Sequence, residues 1–348
     1  MSAAAPLTVP AAARSPWQKL YQAAHRGRRA WFRRRAERLP RPVVSVGNLA
    51  WGGSGKTPLV AAIAAGLRDR GRRVAILSRG YKGKGLGVRV VSNGEGPLLG
   101  PLIAGDEPVL LAGQLPGVGV VVGPDRYQAG LQALERLPEP PDIFILDDGF
   151  SHVRLFRDLD LLVFPRHDPF AGGRLPPGGR LREPLESARW ADAVVWSGRG
   201  AEAAGALARG LAAYGFHGPG FGAAHEVLAP RAERDRAVGA ASVLLVAGIA
   251  RPERVKRSAE EAGCRVIESL EFPDHHPYPD ESLRRIERRF RESGAEWVLT
   301  TAKDHVKLVG RLDAPLALLP FRTRPEEAFW DWMMPALDEA RGRPAGPA

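Results

Sequence analysis

Between a short apolar run, Val43 to Val46, and a stretch of helical periodicity stands GNLAWGGSGKTP, the segment that most narrows what this chain can become. Residues Ala50 to Thr57 fit the phosphate-loop pattern, with alanine in place of its first glycine. The order of the parts has a physical reason. Gly52, Gly53, Ser54 and Gly55 let consecutive backbone N–H groups wrap a phosphate, and the helix that follows adds the positive end of its dipole. Lys56 would bridge the β- and γ-phosphates of a nucleotide such as ATP, and the Thr57 hydroxyl would reach Mg²⁺. A glycine-rich turn without nucleotide is the alternative, but it does not account for strand, loop, Lys-Thr and helix coming in this order.

A loop of this kind leaves the end of a parallel strand covered by helices, and from Pro42 onward the chain alternates short apolar runs with helical patterns. Strands are expected at Val43 to Val46, Val74 to Leu77, Val118 to Val122, Ile143 to Leu146, Leu159 to Phe164 and Ala193 to Trp196. Helices are expected near Thr57 to Arg70, Arg126 to Leu137 and Ala201 to Tyr214. A polar stretch, Pro230 to Ala241, reads as a loop, and a second alternation follows it. Its parts are strand Val243 to Val246, helix Pro252 to Ala262, strand Arg265 to Leu270, helix Asp280 to Glu292 and strand Trp297 to Thr300. The expected fold is α/β: a basic amphipathic helix in segment 1–38, a P-loop NTPase-like parallel sheet domain over 39–229, and a linker at 230–241. A second, smaller α/β domain over 242–322, a C-terminal helix over 323–340 and a disordered tail at 341–348 complete it.

Composition supports a folded, cored protein, since 44% of the 348 residues are hydrophobic. One cysteine, Cys264, excludes an intrachain disulfide framework and suits a reducing, cytoplasmic compartment. The net charge of +11 invites a nucleic-acid reading, so its location decides more than its size. Ten of the 50 Lys and Arg lie between Arg14 and Arg41 against one acid, Glu37, which leaves the rest of the chain nearly neutral. There Trp17, Leu20, Tyr21, Ala24, Trp31 and Phe32 share one helical face, interrupted by Arg28 and Arg35. Rings among arginines suit an interfacial helix on an anionic membrane surface; a solvated arm, or a helix packed on the body, uses the same residues. No segment reads as a signal peptide, and the longest apolar run, Ala237 to Ala250, is shorter than the roughly 20 residues a spanning helix needs.

A P-loop enzyme also needs an acid at the end of an apolar strand to hold its metal, directly or through water. Asp147 and Asp148 follow Ile143 to Leu146 in ILDDGFSH, although Asp-Asp-Gly is also ordinary turn chemistry. Which carboxylate stands nearer the metal is left open.

With these motifs the chain resembles the tetraacyldisaccharide 4′-kinase family, which phosphorylates a lipid A precursor. The resemblance runs nearly full length and rests on VGNLAWGGSGKTP, SRGYKG (Ser78 to Gly83), AGDEP (Ala104 to Pro108), DDGFSH (Asp147 to His152), LPPGGRLREP (Leu175 to Pro184), FPDHHPY (Phe272 to Tyr278) and TAKDHVK (Thr301 to Lys307). It implies an active site between two α/β domains, dependence on MgATP, a lipid disaccharide 1-phosphate substrate, and a peripheral or monotopic place on the cytoplasmic face of the bacterial inner membrane. It makes Asp106 the base that prepares the sugar hydroxyl and His275 its orienting partner, with adjacent His276 the competing choice. Glu107 would join Thr57, Asp147 and Asp148 around Mg²⁺, and Arg79, Tyr81 and Arg126 would contact substrate or phosphates. Ser151 stands where the family usually has Gln, so the resemblance assigns that side chain no role.

The residues alone leave competitors. Gly-Asp-Glu-Pro could be a surface turn, since nothing in the spacing ties Asp106 to the phosphate loop. Asp274-His275-His276 resembles a metal site, but a zinc cage needs more His or Cys than this chain brings together. A P-loop GTPase or ATPase of the metallochaperone type shares the loop and the strand-end acid; GDEP and DHH count against it, and TAKD only partly imitates a guanine-reading Asn-Lys-x-Asp string. A nucleic-acid-binding protein with a basic arm is the third class, disfavoured because the charge sits in one aromatic-rich helix. No protein partner is implied.

Overall fold

The computed structural model describes residues 16–52, 54–232, 237–249 and 252–342. Gly53, the first part of the basic segment, positions 233–236 of the expected linker and the tail beyond 342 lie outside them.

Helix α1 (Pro16–Arg33) precedes β1 (Val43–Gly47), α2 (Lys56–Asp69) and β2 (Val74–Ser78). Then come β3 (Arg89–Asn93), α3 (Pro101–Ala104), α4 (Asp106–Gln114), β4 (Gly119–Val122), α5 (Arg126–Arg136), β5 (Ile143–Asp147) and β6 (Leu159–Pro165). The run closes with β7 (Ala193–Ser197), α6 (Ala201–Leu211) and β8 (Gly220–Val227). Strands β8, β7, β6, β1, β5, β2 and β4 lie in that order, each parallel to its neighbour. Antiparallel β3 closes one edge. Helices cover both faces, so β1 and β5 are buried throughout, which explains their unbroken apolar runs. Val44, Val46, Ile143 and Ile145 pack into the core shared with α2; Val43, Phe144 and Leu146 pack on the face covered by α5. Opposite Val46 in the ladder stands Asp147, so phosphate loop and acid pair leave the sheet side by side.

The second sheet is built from β9 (Arg231–Ala232), β10 (Ser242–Ala247), β11 (Arg265–Glu271), β12 (Trp297–Thr301) and β13 (Leu316–Leu319), with α7 (Pro252–Glu261), α8 (Asp280–Ser293) and α9 (Ala302–Leu308) between them. Its order is β11-β10-β12-β13-β9, parallel except for β9. Strand β9 falls inside the stretch expected to be linker, and it is held there by pairing with Ala317 and Leu318.

The chain then returns. Strand β14 (Phe321–Pro325) pairs antiparallel with β8 in the first sheet, and in α10 (Glu327–Gly342) Phe329, Trp330, Met333 and Leu337 enter the core around α2. A boundary at 322 therefore cuts through a strand, and the C-terminal helix is part of the first unit rather than an appendage. Phe-Arg-Thr-Arg-Pro has the alternation of an edge strand with one wet face, which no apolar run announces.

Helix α1 forms where the sequence places it, and its aromatic stripe is divided, with Tyr21 packed on the body and three other large residues turned outward. Trp17, Leu20 and Trp31 are 56%, 61% and 51% exposed, while Gln22, His25 and Arg29 are buried against the body. Long-range polar partners, not hydrophobic periodicity, choose the buried side. Among the described residues no helix is long and apolar enough to cross a membrane.

Candidate active site

The phosphate loop leaves β1 through Gly47, where an added Cβ would lie 2.4 Å from the Phe150 Cβ, so only glycine admits this approach of the two loops. Gly52 and Gly55 take φ of +115° and +86°, a backbone that favours glycine. Helix α2 starts at Lys56 with no side chain capping its free N–H groups, which leaves those donors for an anion. Ser54 is buried, and its Oγ has no partner among the described residues. Lys56 Nζ donates to Asn48 Oδ1 at 2.9 Å and stands 3.6 Å from Asp148 Oδ1. Thr57, one residue into the helix, lines the same cleft.

The two aspartates at the end of β5 differ sharply. Asp147 is 3% exposed; its Oδ2 accepts from Ser78 Oγ at 3.2 Å, and its Oδ1 has no partner among the described residues. Burial, with the charges of Glu107 and Asp148 beside it, pushes the Asp147 carboxyl up to about 7. Asp148, at φ +54°, is gripped by Arg182, whose Nη1 donates to Oδ2 at 2.8 Å. Burial would push Asp148 up, but Arg182 and Lys56 hold it below the usual carboxylate range. A buried carboxylate oxygen without a donor, beside further acids, is a place where a divalent cation fits. Among the described residues no group of three or more His, Cys, Asp or Glu side chains is placed to hold a metal ion without other ligands.

A second polar centre joins the two sheets. Gly105, at φ +90°, lies so close to the Tyr81 carbonyl that a Cβ would be 2.6 Å from it, and the turn delivers Asp106 as the first residue of α4. From the other sheet His275, held at φ +63°, brings Nδ1 to 3.3 Å from Asp106 Oδ2. Its Nε2 faces Lys303 Nζ at 2.9 Å, and Lys303 also donates to Asp274 Oδ1 at 2.7 Å. An ammonium can only donate, so Nε2 accepts and the imidazole proton sits on Nδ1, directed at Asp106. Lys307 Nζ lies 3.4 Å from the same carboxylate. His276 points elsewhere: its Nε2 meets Ser282 Oγ at 2.8 Å and its ring stacks on Phe272.

Around these centres runs a cleft of about 2700 Å³ lined from both sheets, by Lys56, Thr57, Glu107, Asp148, Arg182 and His275 among others. Arg79 and Tyr81 are exposed on its wall, with Tyr81 edge-on to the His275 ring at 6.3 Å. Arg126 is buried instead, its Nη1 donating to the carbonyls of Gly123 and Pro124, and burial pulls it down to about 10. Asp106, its side chain 15% exposed, meets the cleft at His275. The sequence pointed to neither Asn48, Ser78, Arg182, Lys303 nor Lys307 as site residues, although all five lie in motifs already singled out, VGNLAWGGSGKTP, SRGYKG, LPPGGRLREP and TAKDHVK. TAKD itself is no base reader, because Asp304 is fully buried and accepts from the Gly248 N–H and the Thr301 hydroxyl, each at 2.9 Å.

A phosphate loop and acid pair on one sheet, sharing a cleft with an acid–histidine pair completed by the other, define the class as a P-loop phosphotransferase. The family model described as tetraacyldisaccharide-1-P 4′-kinase matches residues 11–338. A relative from Geobacter metallireducens named tetraacyldisaccharide 4′-kinase is 44% identical over 283 residues, 79% of this chain and 80% of its own. One of the same name from Syntrophus aciditrophicus is 40% identical over 315 residues, 85% of this chain and 84% of its own. A crystal structure of the Aquifex aeolicus protein, described as an "apo" form in complex with ATP, superposes with a TM-score of 0.73 at 34% identity, covering 94% of this chain and 97% of that one. The chain belongs to the tetraacyldisaccharide-1-phosphate 4′-kinase family.

Proposed function

We propose that this protein transfers the γ-phosphate of ATP to the 4′-hydroxyl of tetraacyldisaccharide 1-phosphate, giving the bisphosphorylated lipid A precursor. The observation that carries the reading is the Asp106–His275 contact at 3.3 Å, made between the two sheets beside the cleft that holds the phosphate loop. Asp106 accepts the hydroxyl proton, the freed oxygen attacks the γ-phosphorus, and the bond to the β-phosphate oxygen breaks. His275, held by Lys303, keeps its Nδ1–H on Asp106 Oδ2 and leaves the other carboxylate oxygen for the substrate. Lys307 Nζ, 3.4 Å from Asp106 Oδ2, places a positive charge beside the same carboxylate. Lys56 and the free N–H groups of α2 neutralise phosphate charge. Asp147, Asp148, Glu107 and Thr57 supply the oxygens that would hold Mg²⁺, which when bound offsets charge on the β- and γ-phosphates. Arg79, Tyr81 and Arg126 are read as contacts to substrate or phosphate.

The exposed Trp17, Leu20 and Trp31, set among arginines, support peripheral attachment to an anionic membrane surface, at the cytoplasmic face of the inner membrane where such a lipid would be presented. The test is direct: purified protein, MgATP and the lipid disaccharide 1-phosphate in mixed micelles should give the bisphosphate. Release of ADP and inorganic phosphate without that product would favour a nucleotide hydrolase instead.

A further inference from the structure

Helix α1 turns a charged face inward, and that face ends in the phosphoryl-transfer site. Arg29 and Glu183 are each 1% exposed, 154 positions apart, and their side chains meet at 3.1 Å. The Arg29 guanidinium lies between the rings of Phe150 and Trp190, 4.4 and 4.6 Å from their centres, and donates to the Phe150 carbonyl at 3.1 Å. Glu183 also accepts from Ser151 Oγ, and Tyr21 donates to the Arg182 carbonyl at 3.1 Å. Each contact fixes a segment that carries a site residue: Phe150 and Ser151 follow Asp148, and Glu183 follows Arg182. From that anchored position Arg182 reaches Asp148 and, at 3.1 Å, the carbonyl of Asn48, whose side chain holds Lys56. A buried ion pair is a weak source of stability, since apolar residues of similar volume often serve as well. Here it fixes two loops against each other, which apolar packing would specify less sharply.

We propose that Arg29 and Glu183 are positioning residues for phosphoryl transfer, coupling α1, which presents Trp17, Leu20 and Trp31 outward, to the Arg182–Asp148 contact. The inference rests on the reading of Asp148 and Lys56 given above. Through this link, anything that displaces α1 also displaces Arg182.

The experiment compares Arg29→Met, Arg182→Met and the double variant in the full chain, well below each melting midpoint, following kcat, both KM values and co-sedimentation with phosphatidylglycerol vesicles. Arg29→Met should lower kcat by about 10- to 100-fold, the scale of a misplaced site group. KM for lipid and vesicle binding should stay within about twofold. The double variant should lose little more than Arg182→Met alone, because both act through one contact. An Arg29→Met protein with normal kcat, or losses that multiply in the double variant, overturns the inference. Normal turnover by Arg182→Met removes the site reading and this inference together, whereas a crippled Arg182→Met beside a normal Arg29→Met removes the inference alone. Should Arg29→Met not fold, Arg29→Met/Glu183→Met, which leaves no buried charge unpaired, is measured in its place with the same expectation.

Discussion

His275 directs its Nδ1–H at Asp106 across 169 positions of chain, from the turn after β11 to the first residue of α4, and this contact ties the second sheet to the first beside the phosphate loop. Neither residue is placed by its own surroundings alone. Gly105 at φ +90° sets the aspartate, the left-handed turn at φ +63° sets the histidine, and Lys303 fixes the tautomer.

Asp106→Asn and His275→Ala should each lower kcat by about 10²- to 10⁴-fold, the range of general-base catalysis, with modest change in KM for ATP. Combined, they should cost little more than the worse single change. Steady-state kinetics of the three proteins check this, and multiplying losses would show two independent groups. His276→Ala, which removes a ring bonded to Ser282, should leave kcat closer to the parent than His275→Ala does.

Lys56→Ala should reduce phosphoryl transfer by about a hundredfold or more, as for other groups preorganised against developing charge. Among the described residues its side-chain partners are Asn48 and Asp148, which line the same cleft, so melting should shift little. A folded variant with near-normal turnover would show that the loop does not cradle the transferred phosphate.

Replacing the outward residues together, Trp17→Ala/Leu20→Ala/Trp31→Ala, should weaken binding to phosphatidylglycerol vesicles and raise KM for the lipid more than KM for ATP. Their side chains lie mostly in solvent, so the fold should persist. Full sedimentation of this variant with vesicles would move the membrane surface elsewhere on the protein.

His152 supplies a pH signature. Burial, with Arg126 and Arg157 nearby, lowers it from 6.5 to about 4, so the folded protein keeps it neutral where the unfolded chain protonates it. Its contribution to stability is complete above pH 6.5 and is lost as pH falls toward 4. Unfolding free energies from urea titrations between pH 7.5 and 4.5 should drop less steeply in His152→Gln, by at most about 3 kcal/mol over that span. Parallel slopes would mean that His152 is protonated in the fold.

What the sequence determined by itself was whatever a short window can encode. Val43 to Val46, a glycine-rich turn and Lys56-Thr57 fix strand, loop and helix through local φ/ψ freedom and periodicity, and Ile143 to Asp148 announces a buried strand ending in acid. The α/β class followed from repeating such windows. Strand β14 was not legible, because Phe-Arg-Thr-Arg-Pro carries the polar alternation of a sheet edge and takes its place only from β8. Nor was the buried side of α1, where Arg29 turns inward, since its partners Glu183, Phe150 and Trp190 wait 121 or more positions away. Asp106 and His275 were marked by resemblance, but their contact, and the roles of Arg182, Lys303 and Lys307, exist only once two sheets have packed. Polar pairs between distant segments leave no periodicity behind. Their partners are chosen by packing the whole chain, so the tertiary structure alone decides them.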